Sequence, residues 1–492
     1  MQLYWGDLHR HSSEGDGREP LVKHFPAARD LLRLDFMAMT NCGILTRDPM
    51  DRSLMGSLTG EKSITDGASM QHLHDLPTLH RYAPEHWALN QRLVREYTEP
   101  GRFIPLLAYE WSCARSGDRN VYYPAADEPM RLARTLPELY RALEGTQALL
   151  IPHHPGYAVG RRGVDWSTHN ARLERLVEIV SNHGCSEEPR GGIQPLRNIG
   201  MGSNVPGSSV QDAWARHLHL GVVAGSDCHR GAHEYLLTGL YAEALTTEEV
   251  WLALWDRRTY ATTHGKRVVV EFCADGYPLG SRYATDAPPR LAITVRGTGP
   301  LRRLEVWRQG VVWRTEEGQG RSEIRLDLTD DEEPTRPDGM YWLRALQEDG
   351  TAAWSSPIWI ALLPEHPAVR GFLYWQPDEP ARFEVDILRW NGPRREILLT
   401  LRNEDLDGGV LTEGTLEVRE AAAGPSRQRR DRLLARDRLR PLSFSGEGAL
   451  RVEVEGVDPD RDLLYTASYR DVEGTLRHVR RVRPTRRGGR RP

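Results

Sequence analysis

From residue 1 to about 285, short apolar runs alternate with amphipathic stretches: LYWGDLH, PLVKHFPAARDLLR and LDFMAMT, then FIPLLAYE, ALLIPHH, RLVEIVSN and LGVVAGSD. A strand-length apolar run followed by a stretch of helical period is the signature of βα units and predicts an α/β fold with parallel strands. Several of the runs end in His, Glu, Asp or Asn. In a barrel of parallel strands the reactive groups stand at the strands' C-terminal ends, so a single edge would collect them. Residues 44–102 interrupt the alternation. They begin polar and end in a predicted helix, PEHWALNQRLVREY, and a connection of that length often serves as a lid.

Beyond residue 285 the pattern changes to short alternating segments, LAITVRG, LRRLEVWRQ and GMYWLRALQ, bounded by Gly, Asp and Pro. This period of two predicts a β-sandwich, closed by WSSPIWIALLPEHP. A second β-rich stretch follows, with FEVDILRW, REILLTLRN, TLEVREAA, GALRVEVEG and LLYTASYRD. The expected organisation is therefore 1–285, 286–365, 366–484 and a basic tail, 485–492.

Length and composition agree with several cores. At 492 residues, and roughly 150 residues per domain, about three domains are expected. With 39% hydrophobic and 27% charged residues and a net charge of −4, the chain is globular in character and has no global basic field calling for nucleic acid. No apolar run approaches the ~18 residues of a membrane span, and Met1 leads into a strand-like run instead of a signal peptide, which makes a cytoplasmic protein the expectation. Cys42, Cys113, Cys185, Cys228 and Cys273 are scattered, with no C-x-x-C pair, and read as reduced thiols. Lysine occurs only at Lys23, Lys62 and Lys266, so arginine clusters carry less meaning than usual, and the tail RRVRPTRRGGRRP reads first as a solvated end.

The candidate chemistry lies in the first half. In GDLHRHSSEGDG, His9 and His11 are two apart at a strand end, so their side chains leave the same face and can grip one ion, with Asp16 in reach across the loop. Alone, an H-x-H pair is more often structural. But AYEWS ends a strand with Glu110, IPHHPG supplies His153 and His154, VEIVSNHG supplies Glu178 and His183, and GSDCHR supplies Asp227 and His229. Ligand types at so many separate strand ends point to a metal centre.

These motifs, together with the later RRTYATTHGKRVVVEF, DGYPLGS, GMYWLRA and AWSSPIWI, resemble the polymerase and histidinol phosphatase (PHP) superfamily, in its branch with a C-terminal β extension, over roughly residues 1–362. The resemblance implies a distorted (βα)7 PHP-type barrel followed by β-sandwich domains, two or three divalent ions (zinc, manganese or iron), and hydrolysis of phosphomonoesters or phosphodiesters. Carried over by motif, His9, His11, Asp16, Glu110, one or both of His153 and His154, His183, Asp227 and His229 match ligand positions. Two positions depart. Where the family reads T-D-H, this chain has Thr40, Asn41 and Cys42; where the branch reads G-H-x-N, it has Gly117, Asp118, Arg119 and Asn120. Thiolate and carboxylate both bind metals, so Cys42 and Asp118 are either altered ligands or the mark of a lost ion.

The function expected is a metal-dependent phosphoesterase acting on a small phosphorylated molecule through a metal-bound hydroxide, with His154, Arg119 and Arg230 as catalytic groups and Arg115 as a further phosphate clamp. Two readings stay open beside it: an amidohydrolase or lyase on a specialised metabolite, and a non-catalytic barrel. His72, His74, His80 and His86 fit no standard site and read as surface or lid residues. Trp5, Trp111 and Trp166 read as core or pocket wall. Oligomeric state is not legible.

Overall fold

The computed structural model describes residues 1–45, 84–113, 115–131, 133, 135–189, 203–229, 236–285, 287–332 and 338–362, together with strand backbone between residues 382 and 483. In chain order the first part contains β1 (Gln2–Asp7), α1 (Leu21–Pro26), β2 (Phe36–Met39), β3 (Cys42–Leu45), α2 (Pro84–Tyr97), β4 (Ile104–Ser112), β5 (Arg119–Tyr123), α3 (Leu136–Ala142), β6 (Leu149–Pro152), β7 (Leu176–Ser181), β8 (Gly184–Cys185), α4 (Val210–Ala215), β9 (Gly221–Ala224), β10 (Leu237–Ala242), α5 (Thr247–Trp255) and β11 (Thr259–Thr262).

Local chemistry sets the helix starts. The Thr135 side chain accepts the Glu138 N–H at the head of α3, the Thr246 side chain does the same for Glu249 in α5, and Ser209 and Asp212 cap each other reciprocally at α4. Helix α2 coincides with the stretch whose periodicity predicted it; the rest of the expected lid, residues 46–83, lies outside the described residues, as do His72, His74 and His80.

The (βα)7 barrel expected for residues 1–285 does not form. The described strands belong to a mixed, β-dominated sheet in which β1–β2, β2–β4 and β3–β4 are parallel but β1–β10, β10–β11, β4–β5 and β5–β6 are antiparallel. Strand β4 turns straight back into β5, leaving no room for the crossover helix that a parallel neighbour requires. Strands β7, β8 and β9 form a separate small sheet. The fold lends no support to a TIM-like or PHP-type barrel.

Strands β2 and β4 are buried on both faces. Phe36, Ala38, Ile104, Leu106 and Ala108 enter one apolar cluster with Val250, Trp251 and Leu254 of α5, while the alternating Met37, Met39, Leu107, Tyr109 and Trp111 enter another. This explains why their sequences read as continuous apolar runs.

Ten further strands follow: β12 (Val269–Ala274), β13 (Tyr277–Pro278), β14 (Arg282–Thr285), β15 (Arg290–Arg296), β16 (Leu301–Arg308), β17 (Val311–Glu317), β18 (Glu323–Thr329), β19 (Asp338–Gln347), β20 (Ala352–Ser355) and β21 (Ile358–Leu362). Strands β13, β12, β15 and β18 make one sheet. Strands β17, β16, β19 and β20 continue, through the β20–β11 ladder, into the sheet of the first part. Val270, Phe272, Ile293 and Val295 of the former share a core with Leu304, Val306, Leu343 and Ala345 of the latter, so two β layers meet face to face. Strand β12 precedes residue 285 yet pairs with β15 beyond it. Near the end of the chain the strand Leu476–Arg483 lies parallel to β14. The basic tail, 485–492, is outside the described residues.

Candidate metal centre

Segments of opposite direction deliver their ligands to one edge. Strands β1, β4, β6, β7 and β9 end there, and β5, running back from β4, begins there. The stretch after β1 is stitched to the stretch after β9: the Asp227 amide donates to the His9 carbonyl at 2.8 Å and the His11 amide to the Cys228 carbonyl at 3.1 Å. Buried Asp7 accepts the Ser226 hydroxyl (2.5 Å), the Ser226 amide (3.0 Å) and the His9 amide (3.1 Å), fixing both segments at their bases. Arg10, between the two histidines and just beyond the end of β1, reaches back to Asp7.

His9 and His11 point their Nε2 atoms at each other across 3.0 Å. Both face Asp227 Oδ1, at 3.4 and 3.0 Å, and Glu110 Oε2, at 3.7 and 3.5 Å. His11 Nδ1 lies 2.8 Å from Asp16 Oδ1, and Asp16 Oδ2 lies 3.1 Å from His229 Nε2. On the other side of Asp227, its Oδ2 is 3.5 Å from His153 Nε2 and 3.1 Å from His183 Nε2. Four sets offer ligand atoms mutually within 4.8 Å: His9, His11 and Asp227; His11, Asp16 and His229; His153, His154 and His183; and His9, His153 and Glu178. His9, His11, His153, His154, Glu110 and Asp227 are buried, while Asp16, His183 and His229 are partly exposed and mark the open side.

Electrostatics follow from this packing. Burial opposes charge on His9, but Glu178 and Asp227 outweigh it and hold the imidazole well above its ordinary value. Burial would raise Asp227, yet His9, His11, His153 and His183 keep it well below the carboxylate range. Burial likewise opposes Glu110, which its histidine neighbours hold down to about 2. His154 goes the other way: burial, then His153 and His183, push it well below the usual imidazole value, leaving a neutral ring. The centre is an anionic cage that holds positive charge against the cost of burial.

Two further acid groups line the centre. Glu178 faces His9 Nδ1 with Oε2 (2.9 Å) and His153 Nδ1 with Oε1 (2.5 Å), so both rings turn Nε2 toward Asp227. This is the carboxylate–histidine arrangement that fixes tautomers behind a cation. Asp118 accepts the Cys113 amide at Oδ1 (2.7 Å) and Arg162 Nε at Oδ2 (2.6 Å), with His154 Nε2 3.2 Å from Oδ2. Asp118 is therefore an anchor for Arg162 more than a vacant ligand. Tyr157 hydroxyl meets His183 Nδ1 at 3.0 Å, and Asn120 Nδ2 meets His9 Nδ1 at 2.9 Å.

Nine expected ligands, His9, His11, Asp16, Glu110, His153, His154, His183, Asp227 and His229, meet at this centre. Arg119 does not. It is fully buried on the opposite face of β5 from Asn120, where its Nε donates to Glu174 at 2.9 Å and its Nη1 to the Gly117 carbonyl at 2.9 Å. Adjacent strand residues face opposite sides, so only one of Arg119 and Asn120 could reach His9. Arg115 is exposed on the turn between β4 and β5. Arg230 and the side chain of Cys42 lie outside the described residues. Asn41 turns to Ser12, accepting its amide at 2.6 Å. His86 lies on α2. Trp111 and Trp166 are core, and Trp5 is buried beside Tyr260. Arg162, Tyr157 and the positioning role of Glu178 were missed; the period of β5 would have signalled that Arg119 and Asn120 part company, but no local signal marks Arg162 in so arginine-rich a chain.

Among the described residues no helix is long and apolar enough to cross a membrane. No family model matches the chain. It is 27% identical over 395 residues to an uncharacterized protein of Chlamydia muridarum and 26% identical over 395 residues to one of Chlamydia trachomatis, each match covering 73% of this chain and 58% of the relative. A Chlamydia pneumoniae protein is 27% identical over 364 residues, covering 64% of this chain. The chain thus spans 58% of the length of these relatives. Among solved structures, fibronectin(III)-like modules of Clostridium thermocellum CbhA match 43% of this chain and 92% of their own, with 11% identity and a TM-score of 0.18. A Bacteroides uniformis β-glucuronidase matches 40% of this chain and 26% of its own, with 8% identity and a TM-score of 0.16. Likeness of that degree carries no argument about fold or function, and what the chain is similar to is a set of chlamydial relatives whose sequence kinship leaves its chemistry to be argued from the site.

Proposed function

We propose that the chain is a metal-dependent hydrolase of a phosphate ester. The observation that carries this reading is the convergence of six histidines, His9, His11, His153, His154, His183 and His229, with Asp16, Glu110 and Asp227 at one sheet edge. The donors fit divalent cations. Two Nε2 atoms facing each other at 3.0 Å, both also facing Asp227, make poor partners for one another but good ones for an ion, and buried His154 has no aligned hydrogen bond at either ring nitrogen. Imidazole with carboxylate suits zinc, manganese or iron.

His9, His11 and Asp227, with Glu110, would hold one cation; His11, Asp16 and His229, and His153, His154 and His183, offer two further places. A bound divalent cation supplies Lewis acidity and a nucleophilic water at neutral pH. The chain's own part is orientation. Glu178 sets the His9 and His153 rings, Tyr157 sets His183, and the sealed inner wall of His9, Glu110 and Asp227 excludes bulk water. Attack is directed from the open side, where Asp16, His183 and His229 are in reach. The motif resemblance to PHP phosphoesterases supports the phosphate class, and no step calls for a Ser or Cys nucleophile.

The test is release of inorganic phosphate from an aryl phosphate, and of the aryl alcohol from an aryl phosphodiester, by metal-loaded protein beside its His9→Ala and Asp227→Ala variants. Hydrolysis by the parent and a fall of at least about 100-fold in both variants is expected. Undiminished turnover in both variants, or none in the parent across either ester class, removes the reading.

A further inference from the structure

We propose that Arg162 is the anion-receiving residue of this site, binding the unesterified oxygens of the phosphoryl group; the proposal rests on the phosphate-ester reading and adds the residue that recognises the substrate. Arg162 lies in GYAVGRRGV, between β6 and the turn at Trp166. Its Nε donates to Asp118 Oδ2 at 2.6 Å, its Nη2 also pairs with Asp118, and Nη2 stands 3.5 Å from Glu110 Oε1. Glu110 turns its other oxygen to His9 and His11. One carboxylate thus separates the guanidinium from the imidazole pair, and an oxyanion beside that pair comes within reach of the arginine.

The backbone argues that this side chain is wanted where it is. Arg162 has φ 63°, a left-handed conformation that costs a residue with a Cβ about 1–2 kcal/mol and that glycine or asparagine would adopt more easily. The loop around it is tightly closed: the Arg161 and Gly163 amides both donate to the Ala158 carbonyl, at 2.8 and 3.0 Å, and the Val164 amide donates to Pro155 at 3.1 Å. A Cβ on Gly163 would stand 1.8 Å from the Tyr157 carbonyl oxygen, so the loop has no slack. Asp118, whose other oxygen is held by the Cys113 amide, completes the mount.

The Arg162 side chain is 21% exposed, within reach of a ligand in the site, while Asp118 beneath it is fully buried. A guanidinium presents five N–H groups in a planar fork, and Nε and Nη2 of this one meet Asp118 and Glu110. A fork matches two oxygens of a phosphoryl group in the way a lysine ammonium cannot. Arg162 therefore has the role that Arg119 was expected to fill.

The experiment uses the full chain loaded with manganese, with inorganic phosphate titrated calorimetrically and metal content measured on the same samples. Arg162→Gln is expected to bind phosphate about 30-fold more weakly with metal content unchanged, and Arg162→Lys to recover part of the loss. Should Arg162→Gln fold poorly, Asp118→Asn, which loosens the mount, is expected to weaken phosphate binding in the same direction. Phosphate binding within about threefold of the parent in Arg162→Gln, or a parallel loss of metal that accounts for the whole effect, overturns the proposal. A parent protein that holds its metals but takes up no phosphate would instead bring down the phosphate-ester reading, and this proposal with it.

Discussion

Glu178 Oε2 lies 2.9 Å from Nδ1 of His9, both groups buried, on residues separated by 169 positions in the chain. The contact decides which nitrogen of His9 faces the cage. With Nδ1 turned to the carboxylate, Nε2 is left to face His11, Glu110 and Asp227.

Replacing Glu178 by Gln should therefore weaken metal binding without dismantling the fold. An outer-shell carboxylate of this kind is typically worth about 10–100-fold in affinity. Competition with a chelator whose affinity is known measures it, with circular dichroism as the control on folding. Parent-like affinity would mean that the two rings hold their orientation without Glu178.

Gly225 tests the same contact through space. A Cβ there would stand 2.2 Å from Glu178 Oε2 and 2.4 Å from His9 Cβ. Gly225→Ala should push the carboxylate off the ring, lowering metal affinity about tenfold or more and costing about 1–3 kcal/mol of stability through overpacking. Normal metal retention at reduced stability would show that Glu178 can shift without consequence.

The set His11, Asp16 and His229 is the most exposed of the four. His229→Ala should remove about one equivalent of metal and leave the inner positions filled. Elemental analysis of gently purified protein is the measurement, and an unchanged stoichiometry would exclude His229 as a ligand.

Arg119 is expected to matter for stability and not for metal content. Its partner Glu174 also accepts the Tyr140 hydroxyl at 2.8 Å and lies 3.0 Å from His169 Nδ1. Burial opposes the charge on Glu174, but Arg119 and then His169 hold it down to about 2. A carboxyl depressed in the folded state contributes stability at neutral pH, and that contribution is lost as pH falls below about 4.5 toward 2. Arg119→Leu strands the buried carboxylate and should cost about 3–5 kcal/mol at pH 7 in chemical denaturation, with metal per folded protein unchanged. Full stability with lost metal would return Arg119 to the centre.

Glu187 should make stability fall as pH rises toward neutrality. Burial pushes it up to about 7, against Arg344, because Glu188 and Glu305 share that same guanidinium. Trp354 Nε1 at 2.8 Å and Gln211 Nε2 at 3.3 Å also face it, and Cys185 is close enough to feel its charge. Between about 4.5 and 7 the folded state keeps a proton that the unfolded chain releases, so the contribution is whole below that window and lost as pH rises through it. Glu187→Gln should gain on the parent by on the order of 2 kcal/mol between pH 5 and pH 8, read from melting at each pH. A constant difference across that range would sink the idea.

Much of the centre was legible because metal ligands are a small set of residue types and strand ends are where they stand. His9 and His11 declared a shared face by their spacing, and Glu110, His153, His154, His183, Asp227 and His229 each closed or followed an apolar run. Arg162 carried no such mark: it lies in an irregular loop, and its importance comes from Asp118, 44 positions earlier. Glu178 was visible as an acid within a strand, but its role depends on two rings brought to it from other strands.

The sequence by itself determined which side chains could bind a cation and which segments would be strands, because ligand chemistry and hydrophobic period are local properties. Tertiary structure alone decided that β5 returns antiparallel to β4, that Asn120 and not Arg119 enters the centre, and that a β-dominated mixed sheet forms in place of seven βα units. The physical reason is that parallel and antiparallel neighbours impose the same period of two on a strand, so pairing direction is set by contacts between residues distant in the chain.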